Sequence, residues 1–258
     1  MALAIVTGAN RGLGLQVCRD LIARQYDVVL AVRDVAQGQS AASELGTAAR
    51  VTVLPLDVSD VASIATFGAA LGDLPLVDSL VNNAGASFDG FDATVARRTL
   101  DTNYLGAVRV THAVLPRLAQ SANIVMVSSG MGELSHFSKA LRARLSSNRL
   151  DEAGVEHIAE EFVAAVGRGD HAKLGFPSNA YGLSKALLNA FTRVFSRQLA
   201  GSGRRINSVC PGWVRTRMGG NSAPRGVEQG ARGITWAATV GDDGPNGGFF
   251  RDKRAVPW

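Results

Sequence analysis

A glycine-rich loop near the start of the chain joins the first apolar run to the first amphipathic helical pattern. Ala2–Thr7 is short and almost wholly apolar, as expected of a buried parallel strand, and the helical pattern runs to about Arg24. Gly8, Gly12 and Gly14 would let the backbone turn tightly and approach a pyrophosphate, which the free N–H groups at the helix start attract. A glycine turn without a ligand is the alternative. The pattern favours a nucleotide-binding strand–loop–helix unit.

Further apolar runs alternate with helical patterns along the rest of the chain, and helical periodicity occupies much of Ala93–Leu118. This alternation predicts an α/β fold with a Rossmann-type, doubly wound parallel sheet and helices on both faces. A chain of 258 residues can form it as one domain spanning 1–258. The later runs predicted as strands are Asp27–Val32, Val51–Leu56, Val77–Val81 and Asn123–Val127.

Charged residues follow the ends of the second and third predicted strands. Sites that bind NAD place Asp or Glu at the second strand end, where it accepts a hydrogen bond from the ribose 2′-hydroxyl. Here that position is Arg33, and Arg11 in the glycine loop is a second cation nearby. Two guanidinium groups suit a 2′-phosphate, so the pattern favours NADP(H), although two surface arginines are the alternative. Asp57, followed by Val58, could accept a hydrogen bond from the adenine amino group.

Tyr181 and Lys185 lie about one helical turn apart at the start of a helix predicted over Tyr181–Leu199. At 3.6 residues per turn, both side chains project from the same face. A phenol has a pKa near ~10, and a fixed cation within ~4–6 Å lowers it by roughly 1–3 units, toward the pKa of a useful general acid. Such a pair is also frequent by chance and needs support from other motifs. Asn103, a poor residue for a helix interior, predicts a local distortion.

Short motifs spread over nearly the whole chain are TGANRGLG at 7–14, LDV at 56–58, NNAG at 82–85, Asn103, SS at 128–129, YGLSK at 181–185 and PGWVRT at 211–216. Together they resemble the short-chain dehydrogenase/reductase family. By this resemblance Tyr181 would donate the proton to a substrate carbonyl, and Ser129 would hydrogen-bond its oxygen. Lys185 would hold the nicotinamide ribose and bias the phenol, and Asn103 would anchor a water molecule of the proton relay.

The resemblance also implies where NADP(H) would bind. The segment Pro211–Thr216 would hold the carboxamide and pyrophosphate side of the nicotinamide half. No metal ion is expected. The residues expected to contact the cofactor are Gly8, Asn10, Arg11, Gly12, Leu13, Gly14, Arg33, Asp57, Val58, Asn83, Ala84, Gly85, Tyr181, Lys185, Pro211, Gly212, Val214 and Thr216.

A long segment separates Ser129 from Tyr181, whereas most members of the family join the two by a short loop. The additional residues, about 131–178, must loop out without separating the two side chains. An apolar stripe predicts a helix at about 151–167, and Arg142–Arg149 before it is interpreted as a solvated loop. This helical insertion before the tyrosine, with PGWVRT and the GPNGGFFRDK ending, is similar to the carbonyl reductase branch of the family. Phe249–Trp258 would supply a seventh strand and a tail.

An apolar substrate pocket follows from the same resemblance. Its expected lining comprises Phe88, Met131, Trp213, Met218 and part of the insertion around Leu174–Phe176, although each could be ordinary core. Cys210, beside this region, could be a reactive thiol, but a buried structural cysteine is the alternative.

The predicted helix at Tyr181–Leu199 carries an apolar arc wider than packing on a sheet requires. Leu188, Phe195 and Leu199 therefore need further cover, which a second subunit or the inserted helix could supply. Because cover from the same chain avoids the cost of association, we expect a monomer.

The charge and cysteine content limit the remaining classes of function. The net charge of +5 suits an anionic small ligand, and the scattered basic residues argue against nucleic acid. No apolar run approaches the ~20 residues of a membrane span. Two cysteines make no disulfide framework, which favours a cytoplasmic location.

The sequence thus predicts an NADPH-dependent reductase of ketones or aldehydes on apolar small molecules. One alternative is an NADP(H)-dependent dehydrogenase that mainly oxidises an alcohol of a steroid, sugar or secondary metabolite. The other is a non-catalytic nucleotide-sensing protein on the same fold. Such a protein would have no need of Ser129, Tyr181, Lys185 and Asn103 together.

Overall fold

The computed structural model describes residues 1–46 and 50–258, and within them eight strands form one sheet. The strand order is β3-β2-β1-β4-β5-β6-β7-β8, and every neighbouring pair is parallel except β7 with β8. This confirms the predicted Rossmann-type sheet. The strands are β1 Ala2–Thr7, β2 Tyr26–Val32, β3 Val51–Pro55, β4 Val77–Asn82, β5 Leu118–Val127, β6 Arg205–Cys210, β7 Phe249–Arg251 and β8 Arg254–Ala255.

Helices cover both faces of the sheet, which explains the nearly unbroken apolar runs of its central strands. Side chains of β1 alternate between two cores: Ile5 packs with the helices that include α5 and α8, and Val6 packs with α1 and α9. The helices are α1 Gly12–Ile22, α2 Val35–Glu44, α3 Val61–Ala70, α4 Ala93–Leu100, α5 Gly106–Val114, α6 Lys139–Ser146, α7 Glu152–Arg168, α8 Ala180–Gln198 and α9 Val227–Ala238.

Strand β6 is absent from the sequence prediction because its sequence, RINSVC, is half polar. All six of its residues are nevertheless buried. The Ser208 hydroxyl hydrogen-bonds that of Thr192 at 2.7 Å, and the Asn207 amide donates to the Pro245 carbonyl at 2.6 Å. These tertiary partners satisfy the polar groups, so a strand without an apolar pattern can occupy the core.

The helical pattern at Ala93–Leu118 is interrupted, as Asn103 predicted. A π-helical turn, Asp101–Leu105, joins α4 to α5. Much of Ala93–Leu118 is helical, as predicted; a short 3₁₀ turn ends the helix and Leu118 begins β5. Gly106 is the first residue of α5. A Cβ at this position would lie 2.4 Å from the Val58 carbonyl oxygen, so only glycine fits where α5 approaches the backbone of Val58.

The insertion contains two helices that pack beside α8. The predicted helix at 151–167 is confirmed as α7, which begins after Asp151 accepts from the Gly154 amide at 2.8 Å. The interpretation of Arg142–Arg149 as a solvated loop was wrong in its first half, which belongs to α6. Leu141 and Leu145 of α6 are buried, and this burial outweighs the run of basic residues beside them.

The insertion covers the wide apolar arc of α8 within one chain. Leu188, Phe195 and Leu199 are 1%, 2% and 6% exposed. Glu160 of α7 pairs with Arg97 of α4, at 2.7 Å from its Nη1. Helix α7 packs against both α4 and α8, and the apolar surface of α8 that was predicted to need cover is buried within this chain.

Candidate active site

The glycine loop between β1 and α1 leaves little room for side chains. Gly8 and Gly12 have φ of +64° and +55°, in the left-handed region that favours glycine. A Cβ at Gly14 would lie 2.5 Å from the carbonyl oxygen of Gly8. The first turn of α1 therefore approaches the loop closely and presents its N–H groups to a cleft of about 1760 Å³.

The NNAG segment after β4 forms a second wall of this cleft. The amides of Asn83 and Ala84 donate to the Thr7 hydroxyl at 3.0 and 2.9 Å, and the Asn83 side chain donates to the Thr7 carbonyl at 2.8 Å. These bonds tie the ends of β1 and β4 together, where the strand order reverses. Ligands bind at this position in open α/β sheets.

Arg33 and Asp57 lie together at the outer end of the cleft. The Arg33 guanidinium is 4.0 Å from the Asp57 carboxylate, and its side chain is 81% exposed. Burial acts to raise the pKa of Asp57, but hydrogen bonds from Ser59 and the charge of Arg33 together hold it below its ordinary value. The carboxylate is therefore an anion able to accept a hydrogen bond, and Arg33 remains open to a ligand.

Gln37 joins this end of the site, although the sequence analysis missed it. Its side-chain oxygen accepts from Asn10 at 2.8 Å, and its nitrogen donates to Asp34 at 2.8 Å. The second Asp34 oxygen accepts from the Gln37 amide at 3.0 Å and caps α2. The sequence does carry a signal for this contact, because Asp34 followed three residues later by Gln37 has the spacing of a capping box. Both Asp34 oxygens are thus occupied.

Helix α8 begins at Ala180, after Asn179 accepts from the Gly182 amide at 2.9 Å. Tyr181 and Lys185 point into the cleft as the spacing predicted. The Lys185 ammonium donates to the Val127 carbonyl at 2.8 Å. Burial lowers the pKa of Lys185 to about 8.

The expected effect of Lys185 on the phenol was wrong in this structure. Burial raises the pKa of Tyr181 above its ordinary value, and a hydrogen bond with Ser129 acts in the opposite direction. The lysine ammonium lies 5.7 Å from the centre of the tyrosine ring. Burial is the largest influence on the pKa of the phenol, and it outweighs the hydrogen bond with Ser129.

Asn103 lies behind the cleft wall in the π turn. Its amide nitrogen donates to the Ala86 carbonyl at 2.8 Å and to the Ser184 hydroxyl at 3.3 Å, and its oxygen accepts from the Ala86 amide at 2.7 Å. The side chain therefore holds the residues after NNAG against α8. A Cβ at Gly85 would lie 3.3 Å from the Asn103 oxygen and 3.7 Å from the Lys185 nitrogen, so Gly85 separates the two side chains closely.

Ser129 follows the end of β5 and caps a 3₁₀ turn over Gly130–Gly132. Its hydroxyl accepts from the Met131 amide at 3.2 Å. Gly132 lies directly on α8, where a Cβ would be 2.7 Å from the backbone of Lys185. This close packing brings the serine beside the tyrosine despite the long insertion between them.

The loop after β6 closes the cleft from the other side. Gly212 has a φ of +81°, and a Cβ on it would lie 2.5 Å from the Arg225 side chain. Thr216 accepts from the Gly219 amide at 3.1 Å, and its methyl group faces Gly12. The segment Pro211–Thr216 therefore lies across the glycine loop, as expected of a segment that would hold the pyrophosphate side of the cofactor.

The expected substrate end carries exposed apolar side chains. Met131, Trp213 and Met218 are 46%, 56% and 51% exposed and line the cleft with Phe88. The Arg98 guanidinium lies 4.3 Å from the Phe88 ring centre.

The expected contribution of Leu174–Phe176 was wrong. The lining formed by the described residues does not include them, because Phe176 packs against Phe162 in the core.

All the predicted catalytic and cofactor residues other than Asn103 line this one cleft. Glu133, Cys210 and Arg251 line it as well, and Cys210 is buried. No local sequence pattern singles out Glu133 or Arg251, because only the fold brings them together. Over 1–46 and 50–258, no cluster of three or more His, Cys, Asp or Glu side chains could hold a metal ion. In the same ranges, none of the helices has the length and apolar character needed to cross a membrane.

Known proteins resemble the chain over its full length. Carbonyl reductase 1 (NADPH) of Sus scrofa is 36% identical over 274 residues, covering 99% of this chain and 94% of that protein. Salutaridine reductase from Papaver somniferum has a TM-score of 0.89 at 30% identity, over 98% of this chain and 100% of that one. Menthone neomenthol reductase from Mentha piperita has a TM-score of 0.81 at 27% identity, over 97% and 98% of the two chains.

Two family models match separate parts of the chain. Residues 163–241 match the model described as enoyl-(acyl carrier protein) reductase. Residues 2–141, which include the glycine loop and Ser129, match the model described as short chain dehydrogenase. Together with the full-length relatives, this match confirms the resemblance seen in the motifs: the chain belongs to the short-chain dehydrogenase/reductase family, with relatives in its carbonyl reductase branch.

Proposed function

We propose that this protein is an NADPH-dependent reductase that converts the carbonyl of an apolar ketone or aldehyde to an alcohol. The observation that carries the proposal is the meeting of Tyr181, Ser129 and Lys185 in one cleft with the glycine loop. The names of the full-length relatives, among them carbonyl reductase (NADPH) and salutaridine reductase, support the same reaction class.

The residues of the cleft fit a dinucleotide with a 2′-phosphate. The close packing of Gly14 against Gly8 brings the first turn of α1 to the cleft, where its backbone N–H groups suit a pyrophosphate. Exposed Arg33 and Arg11 would bind the 2′-phosphate, while Asp34 is occupied by Gln37. Asp57 would receive the adenine amino group. When bound, NADPH supplies the hydride that the carbonyl carbon accepts.

Tyr181 and Ser129 act on the carbonyl oxygen. Negative charge develops on that oxygen during reduction, and two hydroxyl donors aimed at it stabilise the transition state. Tyr181 then gives its proton to the oxygen, for which its raised pKa keeps it protonated at neutral pH. Ser129, hydrogen-bonded to the phenol, orients this donor.

Lys185 and Asn103 act from behind the tyrosine. The buried Lys185 ammonium is fixed on the Val127 carbonyl, from where it would hold the nicotinamide ribose hydroxyls. Asn103 fixes the chain at Ala86, and we assign it a supporting role in proton supply through a water molecule.

The exposed apolar rim favours a hydrophobic substrate. Phe88, Met131, Trp213 and Met218 line the cleft, and the last three are exposed, so contact with them would remove apolar surface from water. A polar substrate would gain little from this rim.

We further propose that residues 1–258 act as one NADP-binding unit and as a monomer. The insertion, 131–178, packs on the same core as the sheet, and α7 buries the face of α8 that would otherwise need a partner. A cytoplasmic location remains a prediction that rests on the two free cysteines, Cys18 and Cys210.

Purified protein mixed with NADPH and a panel of ketones, aldehydes and quinones tests the proposal through loss of NADPH absorbance. We expect turnover with apolar carbonyl compounds, and none in the Tyr181→Phe variant. An intact protein that binds NADPH but reduces no member of the panel would favour the nucleotide-sensing alternative.

A further inference from the structure

Two side chains from the segment 249–258, here called the closing hairpin, contact the loop 129–133, here called the serine loop. The Arg251 guanidinium donates to the Glu133 carboxylate at 2.5 Å. The Trp258 indole N–H donates to the Gly132 carbonyl at 2.7 Å. The two accepting residues, Glu133 and Gly132, are adjacent in sequence and come shortly after Ser129 in the loop that positions it.

The serine loop is enclosed between this hairpin and α8. A Cβ on Gly130 would lie 2.5 Å from the Arg251 guanidinium, and one on Gly132 would lie 2.7 Å from the Lys185 backbone. The loop therefore has a side chain against one surface and the catalytic helix against the other. A shift of the hairpin would let the loop move away from Tyr181.

Both contacts are themselves held in place. Arg251 also donates to the Cys210 sulfur at 3.4 Å, and its side chain is 34% exposed. Trp258 packs against the main core, with the Arg193 guanidinium 5.6 Å from its ring centre. Arg193 in turn donates to the backbone carbonyls of Leu145 and Ser147, so the indole lies between the insertion and the serine loop.

We propose that Arg251 and Trp258 are positioning residues that clamp the serine loop and so keep the Ser129 hydroxyl aligned with the Tyr181 phenol. The inference rests on the proposed function, because alignment of the Ser129 and Tyr181 hydroxyls affects catalysis only if both act on one substrate oxygen. Catalytic groups must be held within a fraction of an ångström by their supporting shell. Trp258 contacts the backbone of Gly132 and Arg251 contacts the side chain of Glu133, both beyond Ser129, and the clamp acts on catalysis by positioning that serine.

Three variants loosen the clamp: Trp258→Phe keeps an aromatic ring and removes the N–H donor, and Glu133→Gln and Arg251→Gln each remove the ion pair. Arg254→Gln is the matched control, because Arg254 lies in the same hairpin with an exposed side chain. We expect kcat for a ketone to fall on the order of 10-fold in the three variants, as misplacement of a catalytic group implies. NADPH binding, measured by fluorescence, should stay within about twofold.

The pH profile of alcohol oxidation gives a readout that general destabilisation would not move. The hydrogen bond with Ser129 lowers the pKa of Tyr181, so loosening the loop should shift the rise in activity to higher pH. The charge-reversed pair Glu133→Arg with Arg251→Glu should restore part of the lost kcat. Unchanged kcat and unchanged pH profile in all three folded variants would overturn the proposal.

Hydrogen–deuterium exchange separates this inference from the proposed function, because it needs no turnover. Peptides covering the serine loop should exchange faster in Trp258→Phe and Glu133→Gln than in the wild type and in Arg254→Gln. A wild type without carbonyl reduction but with faster exchange in the variants would refute the function and keep the clamp. Equal exchange in every variant would refute the clamp itself, whatever the activity.

Discussion

The Lys185 ammonium donates to the carbonyl oxygen of Val127, the last residue of β5, at a distance of 2.8 Å. Helix α8 and the central sheet are therefore joined through a side chain that also borders the cleft. Because this cation is fixed on the sheet, it can bind a ligand hydroxyl without changing its position.

Replacement of the proton donor should abolish reduction. Tyr181→Phe keeps the buried ring and removes only the hydroxyl, so NADPH should bind as before while carbonyl turnover is nearly lost. Ser129→Ala, which removes one donor to the developing oxyanion, should lower kcat on the order of 10²-fold or more. Steady-state kinetics with NADPH titration measures both effects. Near-normal turnover in Tyr181→Phe would refute the mechanism.

Lys185→Met should remove activity and stabilise the fold at neutral pH. The folded-state pKa of Lys185 is lowered from 10.5 to about 8, so between these values the unfolded chain binds the extra proton. The wild type therefore gains stability as pH rises from about 8 to 10.5, and its destabilisation by the buried charge is complete below about 8. At neutral pH we expect Lys185→Met to be more stable by on the order of 1–3 kcal/mol.

Urea unfolding at several pH values checks this prediction. The difference in the free energy of unfolding between the variant and the wild type should shrink from about pH 8 to pH 10.5. A difference that stays constant over this range would contradict the lowered pKa.

Reversal of charge at Arg33 should change the choice of cofactor. Charge-assisted bonds to a phosphate are worth roughly 1.5–3 kcal/mol each, so we expect a preference for NADPH over NADH on the order of 10²-fold or more. Arg33→Asp would place a carboxylate against the 2′-phosphate and should reverse much of it. Equal kcat/KM for the two cofactors in the wild type would refute the assignment.

Gln37→Leu should weaken the same preference without touching an arginine. The substitution releases one oxygen of Asp34 and the amide of Asn10, so a free carboxylate oxygen could accept from the 2′-hydroxyl of NADH and repel the 2′-phosphate of NADPH. We expect the ratio of kcat/KM values to fall several-fold toward NADH. Gln39→Leu, at another exposed position of α2, is the control and should leave the ratio unchanged.

The intact protein should be a monomer in solution. Light scattering at micromolar concentration should give a mass near 27.0 kDa. Removal of 151–167 should expose the apolar face of α8 and give dimers or aggregates. A mass near twice 27.0 kDa for the intact chain would show that the insertion does not replace a partner.

The sequence predicted the parts of the site that are local in the chain. The glycine loop, the strand ends and the Tyr181–Lys185 spacing each depend on a few consecutive residues, and the structure brings them together. Glu133, Arg251 and Trp258 could not be predicted this way, since their contacts join positions far apart in the sequence. The direction of the pKa shift at Tyr181 could not be predicted from the sequence either, because it depends on how deeply the fold buries the phenol.

The orientation of Asn103 depends on the number of residues in the π turn at Asp101–Leu105. A π turn holds more residues than an α turn, and here the Gly106 amide donates to the Asp101 carbonyl. Deleting one residue, such as Thr102, would let α4 and α5 join as a regular α-helix and rotate α4 by about 100° relative to α5. Asn103 would then lose its bonds to Ala86, although its own identity would be unchanged. The loss of one residue, with no change of side chain at Asn103, would thus release α8 from the residues after NNAG that Asn103 holds against it.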